Sequence, residues 1–599
     1  MSMDEPCMKS AVTLEAGGMI TPLGRGVAEN YQAALRGDSC LERQEGTFGV
    51  QEPFVASLFH RATVEAAFEA IVEKRREKDG GVADDAPYTF FEKTVIIAMH
   101  DALQQMAGDE AFDLRSDDTL FVLSSTKGNV GLMADDEADP RILLGEAAQR
   151  IGRFWGITTK PVVVSNACIS GVSAQILAQR LLLQGHCRYA VVAGGDEQSR
   201  FIVSGFQSFK ALSPTRCRPY DAQRDGLNLG EAAAAMVLKA KAAEEVLPDD
   251  WVLRAGSVRN DANHISGPSR TGDGLYFAIR QAMQEAGTAP QDISFVNAHG
   301  TATLYNDEME SKALTLAHLE QVPVHSLKPY FGHTLGASGI IESIVCMHEL
   351  KQGILFGTPG YETPGIPMPI PVYATHRSIP MKHCVKTASG FGGCNAAIVL
   401  SLPEYTPFKD EDNTLPEIRC TREVRIENSS VFINNELIFH SEEPDFGTFI
   451  RDTYKKTCGN NLKFYKMDDL CKLGYVAAEY LLEGKTFAPL EMGMLLANAA
   501  SSLHTDIRHQ QLIDREGDQA ASPAVFVYTL PNVVSGEICI RHKIQGENTF
   551  FITEAYQPEK LERYARIVMQ KGKLNYCIIG WCELWKNTYK AVFKLIEKQ

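Results

Sequence analysis

"VVVSNACISGVSAQILAQRLLLQG", residues 162–185, joins a β-branched run to an amphipathic stretch, and Cys168 stands at the seam. Val162, Val163 and Val164 predict a short buried strand, and Val172, Ile176, Leu177 and Leu181 recur at helical spacing. A strand that turns directly into a helix is the basic step of an α/β fold. The same turn is a place for chemistry. Cys168 falls in the expected first turn of the helix, where unpaired backbone N–H groups and the positive end of the macrodipole favour a thiolate. Ser170 and Gly171 are expected to leave room for a ligand to approach. The competing reading is a small buried hydrophobe, the usual fate of a free cysteine in a chain that has 14.

Helical stretches such as "RATVEAAFEAIVEKRREK" and "YFAIRQAMQEAG" alternate with the apolar runs "TLFVLSS", "YAVVAGG" and "ISFVNAHG". The alternation predicts α/β layers with mainly parallel or mixed strands. At 599 residues the chain exceeds a single core. After a last strand in "AAIVLSLP", a proline- and charge-rich stretch marks a linker over 403–425 between a first region, 1–402, and a second, 426–599. The start "MSMDEPCMKS" has no apolar core of a secretion signal, and no run of 18 apolar residues follows, so no membrane span and a cytoplasmic location are expected. The cysteines lack zinc-site spacing, and no metal is implied. A net charge of −16 disfavours nucleic-acid binding, and the basic run "EKRREK" at 73–78 is interleaved with glutamates as on a solvated helix face.

The two regions share a pattern. Aligning "SNAC" at Ser165 with "TEAY" at Thr553 puts Tyr556 where Cys168 stands, and the next helix and strand follow in step, with Gly185 against Gly572, Tyr189 against Tyr576 and Asp196 against Glu583. The second region is expected to be a copy of part of the first with its thiol removed.

Two histidines fall where α/β proteins build sites, at strand exits. "ISFVNAHGTATLYNDEMESKAL" places His299 ahead of Gly300, Thr301 and Thr303, and "VHSLKPYFGHTLGASGIIESI" places Lys328 and His333 in a Gly-rich turn that opens a helix. A third loop, "GFGGCNAAIVL" from Gly390, flanks Phe391 with glycines that let backbone N–H groups reach a reacting oxygen.

These stretches, with "TPLGRGVAENYQAALRG", "CRPYDAQRDGLNLGEAAAAMVLK" and "NDANHISGPSRTGDG", resemble the β-ketoacyl synthases of the Cys-His-His type over residues 9–402. The resemblance implies a thiolase-like duplicated α/β/α/β/α five-layer fold, a homodimer, and an acyltransferase that works with acyl carrier protein (ACP). It implies decarboxylative Claisen condensation in fatty-acid or polyketide-type synthesis: Cys168 takes an acyl chain from acyl-ACP, and His299 and His333 hydrogen-bond the thioester carbonyl of malonyl-ACP as CO2 leaves. By the same resemblance the N–H groups of Cys168 and Phe391 form the oxyanion hole, Phe391 is a gate, and Thr301 and Thr303 hold the pantetheine arm. Lys328 is an electrostatic support pairing with Glu342. No freely bound cofactor is implied, since substrates ride on the 4'-phosphopantetheine of ACP.

Departures narrow the reading. Cys394 stands where the family usually has threonine, inviting a thiolase with two cysteines; His299 and Lys328 argue against that. Lys127 in "FVLSSTKGNVGLM" is similar to ketosynthases of aryl polyene and flexirubin-type pigment pathways. The second region carries "SPAVFVYTLPNVVSGEICI", a segment similar to one in the family's N-terminal half that the first region lacks, and no counterpart of the histidine motifs. It is expected to dock or shape the pocket at a subunit or domain interface, like a chain-length factor. The alternative for the whole chain is a non-catalytic subunit that binds ACP.

Overall fold

Buried strands and amphipathic helices build one five-strand unit three times in this computed structural model, which describes residues 10–79, 87–133, 139–405, 414–457, 459–586 and 588–599. The N-terminal decapeptide read for a secretion signal lies, up to residue 9, outside the described residues. In the first unit β1 (Ser10–Thr21) is followed by α1 (Phe90–Gln105), β2 (Thr119–Ser124), β3 (Val162–Val164), α2 (Ser170–Leu183), β4 (Tyr189–Asp196) and β5 (Ala232–Ala242). The second unit holds β6 (Trp251–Asn260), α3 (Asp273–Ala286), β7 (Ile293–Asn297), β8 (Val324–His325), α4 (Ser338–Gln352), β9 (His383–Gly390) and β10 (Cys394–Ser401). The third holds β11 (Ile418–Glu427), α5 (Asp469–Leu482), β12 (Met492–Asn498), α6 (Val533–His542), β13 (Asn548–Ile552), α7 (Pro558–Lys571), β14 (Tyr576–Trp585) and β15 (Thr588–Lys598).

The strand order is the same each time. It runs β1-β5-β4-β2-β3, then β6-β10-β9-β7-β8, then β11-β15-β14-β12-β13. In each unit the first two pairings are antiparallel and the last two parallel. Helix α2 touches strands of both the first and the second sheet, α1 covers the outer face of the first and α3 that of the second. The result is the duplicated α/β/α/β/α arrangement, with a further half-copy beside it.

Glycine lets α2 and α4 close on each other in the middle layer. A Cβ on Gly171 would lie 2.8 Å from the Gly336 carbonyl oxygen, and one on Gly339 would lie 2.5 Å from the Val172 nitrogen. The space at Gly171, expected to admit a ligand, is filled by α4.

The third unit joins the first edge to edge. Strands β3 and β13 pair antiparallel, Val164 opposite Phe551 and Val163 opposite Ile552. The Asn166 amide extends the seam, donating to the Asn548 carbonyl at 3.1 Å and accepting from Phe550 N–H at 2.9 Å. Two buried ion pairs cross it, Arg180 Nη1 to Glu547 Oε1 at 2.5 Å and Lys127 Nζ to Asp506 Oδ2 at 2.8 Å. The repeat extends to its polar details. Asp196, ending β4, accepts from Thr126 and Lys127 N–H just after β2, and Glu583, near the end of β14, accepts from Ala499 and Ala500 N–H just after β12.

One boundary moves. Residues 418–425, expected in the linker, belong to β11, because Ile418–Glu427 pairs along its length with β15 at the far end of the chain. Residues 406–413 of that linker lie outside the described residues.

Candidate active site

Cys168, His299 and Phe391 each stand where a strand gives way to a turn, while His333 follows the short helix Lys328–Phe331. Cys168 occupies a tight 3-10 turn, Ala167–Ile169, between β3 and α2, two residues before the α-helix rather than inside it. Ala167 adopts φ 47, a left-handed conformation costly for a residue with a Cβ. Ser170 holds the turn: its hydroxyl donates to the Ala167 carbonyl at 2.6 Å and accepts from Asn166 N–H at 2.8 Å. His299 follows β7, and His333 lies in the Gly-rich turn before α4.

The three side chains converge. The Cys168 sulfur and one ring nitrogen from each of His299 and His333 all lie within 4.8 Å of one another. The imidazole rings meet edge to face, 5.1 Å between centroids at 85°. They line a cleft of about 510 Å3, together with Thr301, Thr303 and Phe391. The Thr301 and Thr303 hydroxyls are 2.9 Å apart.

Electrostatics fix the resting protonation. Burial pushes the Cys168 thiol up to about 12, with nearby Asp196 adding to the rise and Lys328 opposing it. The thiolate expected at the helix start is therefore not the resting form. His299 and His333 are held well below the usual imidazole range, first by burial and then by Lys328 and Lys386. Both rings are neutral. His333 Nδ1 is 3.2 Å from the Ser338 hydroxyl, which suits an accepting Nδ1 and leaves Nε2–H to donate into the cleft.

Lys328 is buried and bonded to Glu342 Oε1. Lys386, on β9, takes the other carboxylate oxygen at 2.5 Å. Burial pushes the Glu342 carboxyl up, but the two ammonium groups, by charge and by hydrogen bond, outweigh that and leave it lowered.

Gly390 explains how the Phe391 loop reaches the thiol. A Cβ there would lie 3.1 Å from Cys168 N and 3.2 Å from the Cys394 sulfur. Phe391 rests on Phe209 at 5.4 Å and Phe206 at 6.3 Å between ring centroids. Cys394, the thiolase-like feature, is fully buried, with its sulfur 3.2 Å from the Phe391 carbonyl and burial pushing its thiol far up.

Several supports carry no local motif. Glu310 accepts from His299 N–H at 2.7 Å and Gly300 N–H at 2.8 Å, fixing the first histidine loop. Asn532, in the third unit, donates to the Phe391 carbonyl at 2.8 Å. A second, narrow chamber of about 30 Å3 adjoins Cys168, with Lys127, Phe206 and Phe391 on one side and Phe526, Thr529 and Leu530 of the third unit on the other. Within "TLPNVVSG", Thr529, Leu530 and Asn532 all face the site, although only the segment's likeness to a synthase half pointed there.

Comparison with known proteins agrees with this architecture. Residues 138–244 match the family model "Beta-ketoacyl synthase, N-terminal domain", and residues 251–362 match "Beta-ketoacyl synthase, C-terminal domain". A putative polyketide beta-ketoacyl synthase 1 from Streptomyces halstedii is 31% identical over 303 residues, 47% of this chain and 71% of that protein. The 3-oxoacyl-[acyl-carrier-protein] synthase 2 of Vibrio cholerae is 26% identical over 427 residues, 65% of this chain and 99% of that protein. The structure of the ketosynthase ApeO in complex with its chain length factor ApeC from Xenorhabdus doucetiae aligns with TM-score 0.55 and 25% identity, covering 67% of this chain and 100% of that chain. The PfaC keto synthase-chain length factor aligns with TM-score 0.73 over 99% of this chain and 78% of its own; at 14% identity that likeness is one of fold.

The duplicated fold and the matched halves define a condensing enzyme of the acyltransferase type. The chain belongs to the β-ketoacyl synthase family.

Proposed function

We propose that Cys168 is the acyl acceptor of an ACP-dependent decarboxylative condensation. The observation that carries this reading is the meeting of one thiol and two neutral imidazoles in the lining of a cleft of about 510 Å3. The Cys168 sulfur attacks the carbonyl carbon of acyl-ACP, the carbon–sulfur bond to the carrier breaks, and the released carrier thiol takes the proton. Malonyl-ACP then loses CO2. The electron pair left behind is held as an enolate whose oxygen accepts hydrogen bonds from His299 and His333, donors that need no charge of their own. Its carbon attacks the acyl thioester, a carbon–carbon bond forms, and Cys168 leaves as thiolate and is reprotonated. Lys328 and Glu342 are positioning residues: their ion pair braces the second histidine loop, and the Lys328 charge adds to burial in keeping both imidazoles unprotonated. Thr301 and Thr303 are placed to hold the arm, and the Cys168 and Phe391 N–H groups to receive the oxyanion.

The third unit is proposed to stand in for a second subunit and to close the acyl chamber. Its support is Phe526, Thr529 and Leu530 across from Cys168. The edge β3, which a homodimer would need free if it paired there, is taken by β13.

Intact-mass spectrometry with acyl-ACP and malonyl-ACP tests the reaction. Wild type is expected to gain an acyl adduct that Cys168→Ala lacks, and malonyl-ACP to discharge it as β-ketoacyl-ACP; Phe526→Ala is expected to lengthen the chain accepted. ACP binding without any adduct, at every chain length tried, sinks the catalytic reading in favour of a partner subunit.

A further inference from the structure

A second ligand-sized cleft opens at the seam between the first and third units. Its volume is about 430 Å3, inside the roughly 300–1,000 Å3 range of small-molecule sites, and it shares no lining residue with the chambers at Cys168. The walls are apolar: Leu120, Val162 and Leu177 from the first unit, Phe551, Ile552 and Leu561 from the third. The mouth is not. Lys160, His186, Lys560 and Arg563 stand around it, in a protein whose net charge is −16.

Asp117 and Glu554 offset part of this cluster and leave the Lys560–Arg563 end uncompensated. Lys160 pairs with Glu554 at 2.5 Å, and Asp117 also lines the cleft. Lys560 and Arg563 make no hydrogen bond or ion pair among the described residues. Lys560 lies below the usual lysine range through partial burial and the nearby charges of Lys160 and Arg563, and His186 is lowered by burial and Arg563. Cations crowded over an apolar hollow repel each other until an anion sits among them. A free inorganic anion would leave the apolar walls wetted, and a neutral lipid would leave the charges unmet. One ligand class satisfies both.

We propose that this cleft binds a single-chain anionic amphiphile, an acyl chain lying between α2 and α7 with a carboxylate or phosphate head at Lys560 and Arg563. Neither residue belongs to the catalytic machinery, and the proposal does not depend on the reaction assigned to Cys168.

Calorimetric titration of the full chain, alkylated beforehand at Cys168 to close the acyl chamber, tests it. Decanoate and decyl phosphate are the anionic probes, with decanol and decyltrimethylammonium as neutral and cationic controls. Binding of either anion with one site per chain is expected, and which one binds more tightly identifies the head. Affinity is expected to fall at least ten-fold in Lys560→Glu/Arg563→Glu, whose exposed positions leave the thermal midpoint in place. Leu181→Trp, on the partly buried wall, is expected to block the hollow for both. The proposal is overturned by no binding of either anion at 1 mM (about ten times a 0.1 mM Kd), by decanol or decyltrimethylammonium binding as tightly, or by unchanged affinity in the double variant.

Discussion

A thiol pushed up to about 12 does not rest as a thiolate, and that shapes how Cys168 should react. Its alkylation rate by iodoacetamide, followed by intact mass, is expected to climb about ten-fold per pH unit from pH 7 to 10 without a plateau; a plateau below pH 8 contradicts this electrostatic account. The histidines give the opposite expectation. Both are lowered well below 6.5, so they remain neutral as pH falls through 6.5, and the condensation rate should show no imidazole-type break there. Cys168, His299 and His333 were legible because each sits in a turn whose glycines and small polar residues advertise close approach, and Lys328 because it stands five residues before His333 in the same motif. Lys386 and Glu310 were not. Each lies within a regular strand or helix, and only the fold carries them to Glu342 and to the His299 backbone.

Between α2 and α4, the contact decides how near Cys168 comes to the second histidine loop. Gly339→Ala places a methyl 2.5 Å from Val172 N, a backbone atom that cannot swing away. Overpacking of this kind costs about 1–3 kcal/mol, so a lower thermal midpoint and a lower condensation rate are expected together; an unchanged midpoint would mean the helices part without cost. The amphipathic stretches and β-branched runs made these elements readable one by one. What they touch was not readable. Gly171 looked like room for a ligand and is room for a helix, and β11 looked like linker because its partner β15 is some 170 residues away.

Across the whole molecule, the half-copy was visible in the sequence as "TEAY" against "SNAC", while its position was not, since an edge-to-edge pairing of β3 with β13 leaves no local trace. The buried Arg180–Glu547 pair makes that seam testable. Removing one partner strands the other charge, at a cost of about 3–5 kcal/mol, whereas replacing both with apolar residues is far milder. Arg180→Met alone is thus expected to lower the denaturant midpoint much more than Arg180→Met/Glu547→Leu, and equal losses would place the pair outside the cooperative core.

The chamber wall carrying Phe526 is made by the same polypeptide as the Cys168 thiol it shares the chamber with. A wall supplied by a separate protein is shed on dilution, leaving a mixture of closed and open sites. A tethered wall keeps a fixed effective concentration, on the order of millimolar, so it stays in place however dilute the enzyme. Product length measured from nanomolar to micromolar enzyme should therefore be constant, and a lengthening confined to the dilute end would mean that the wall comes from another molecule.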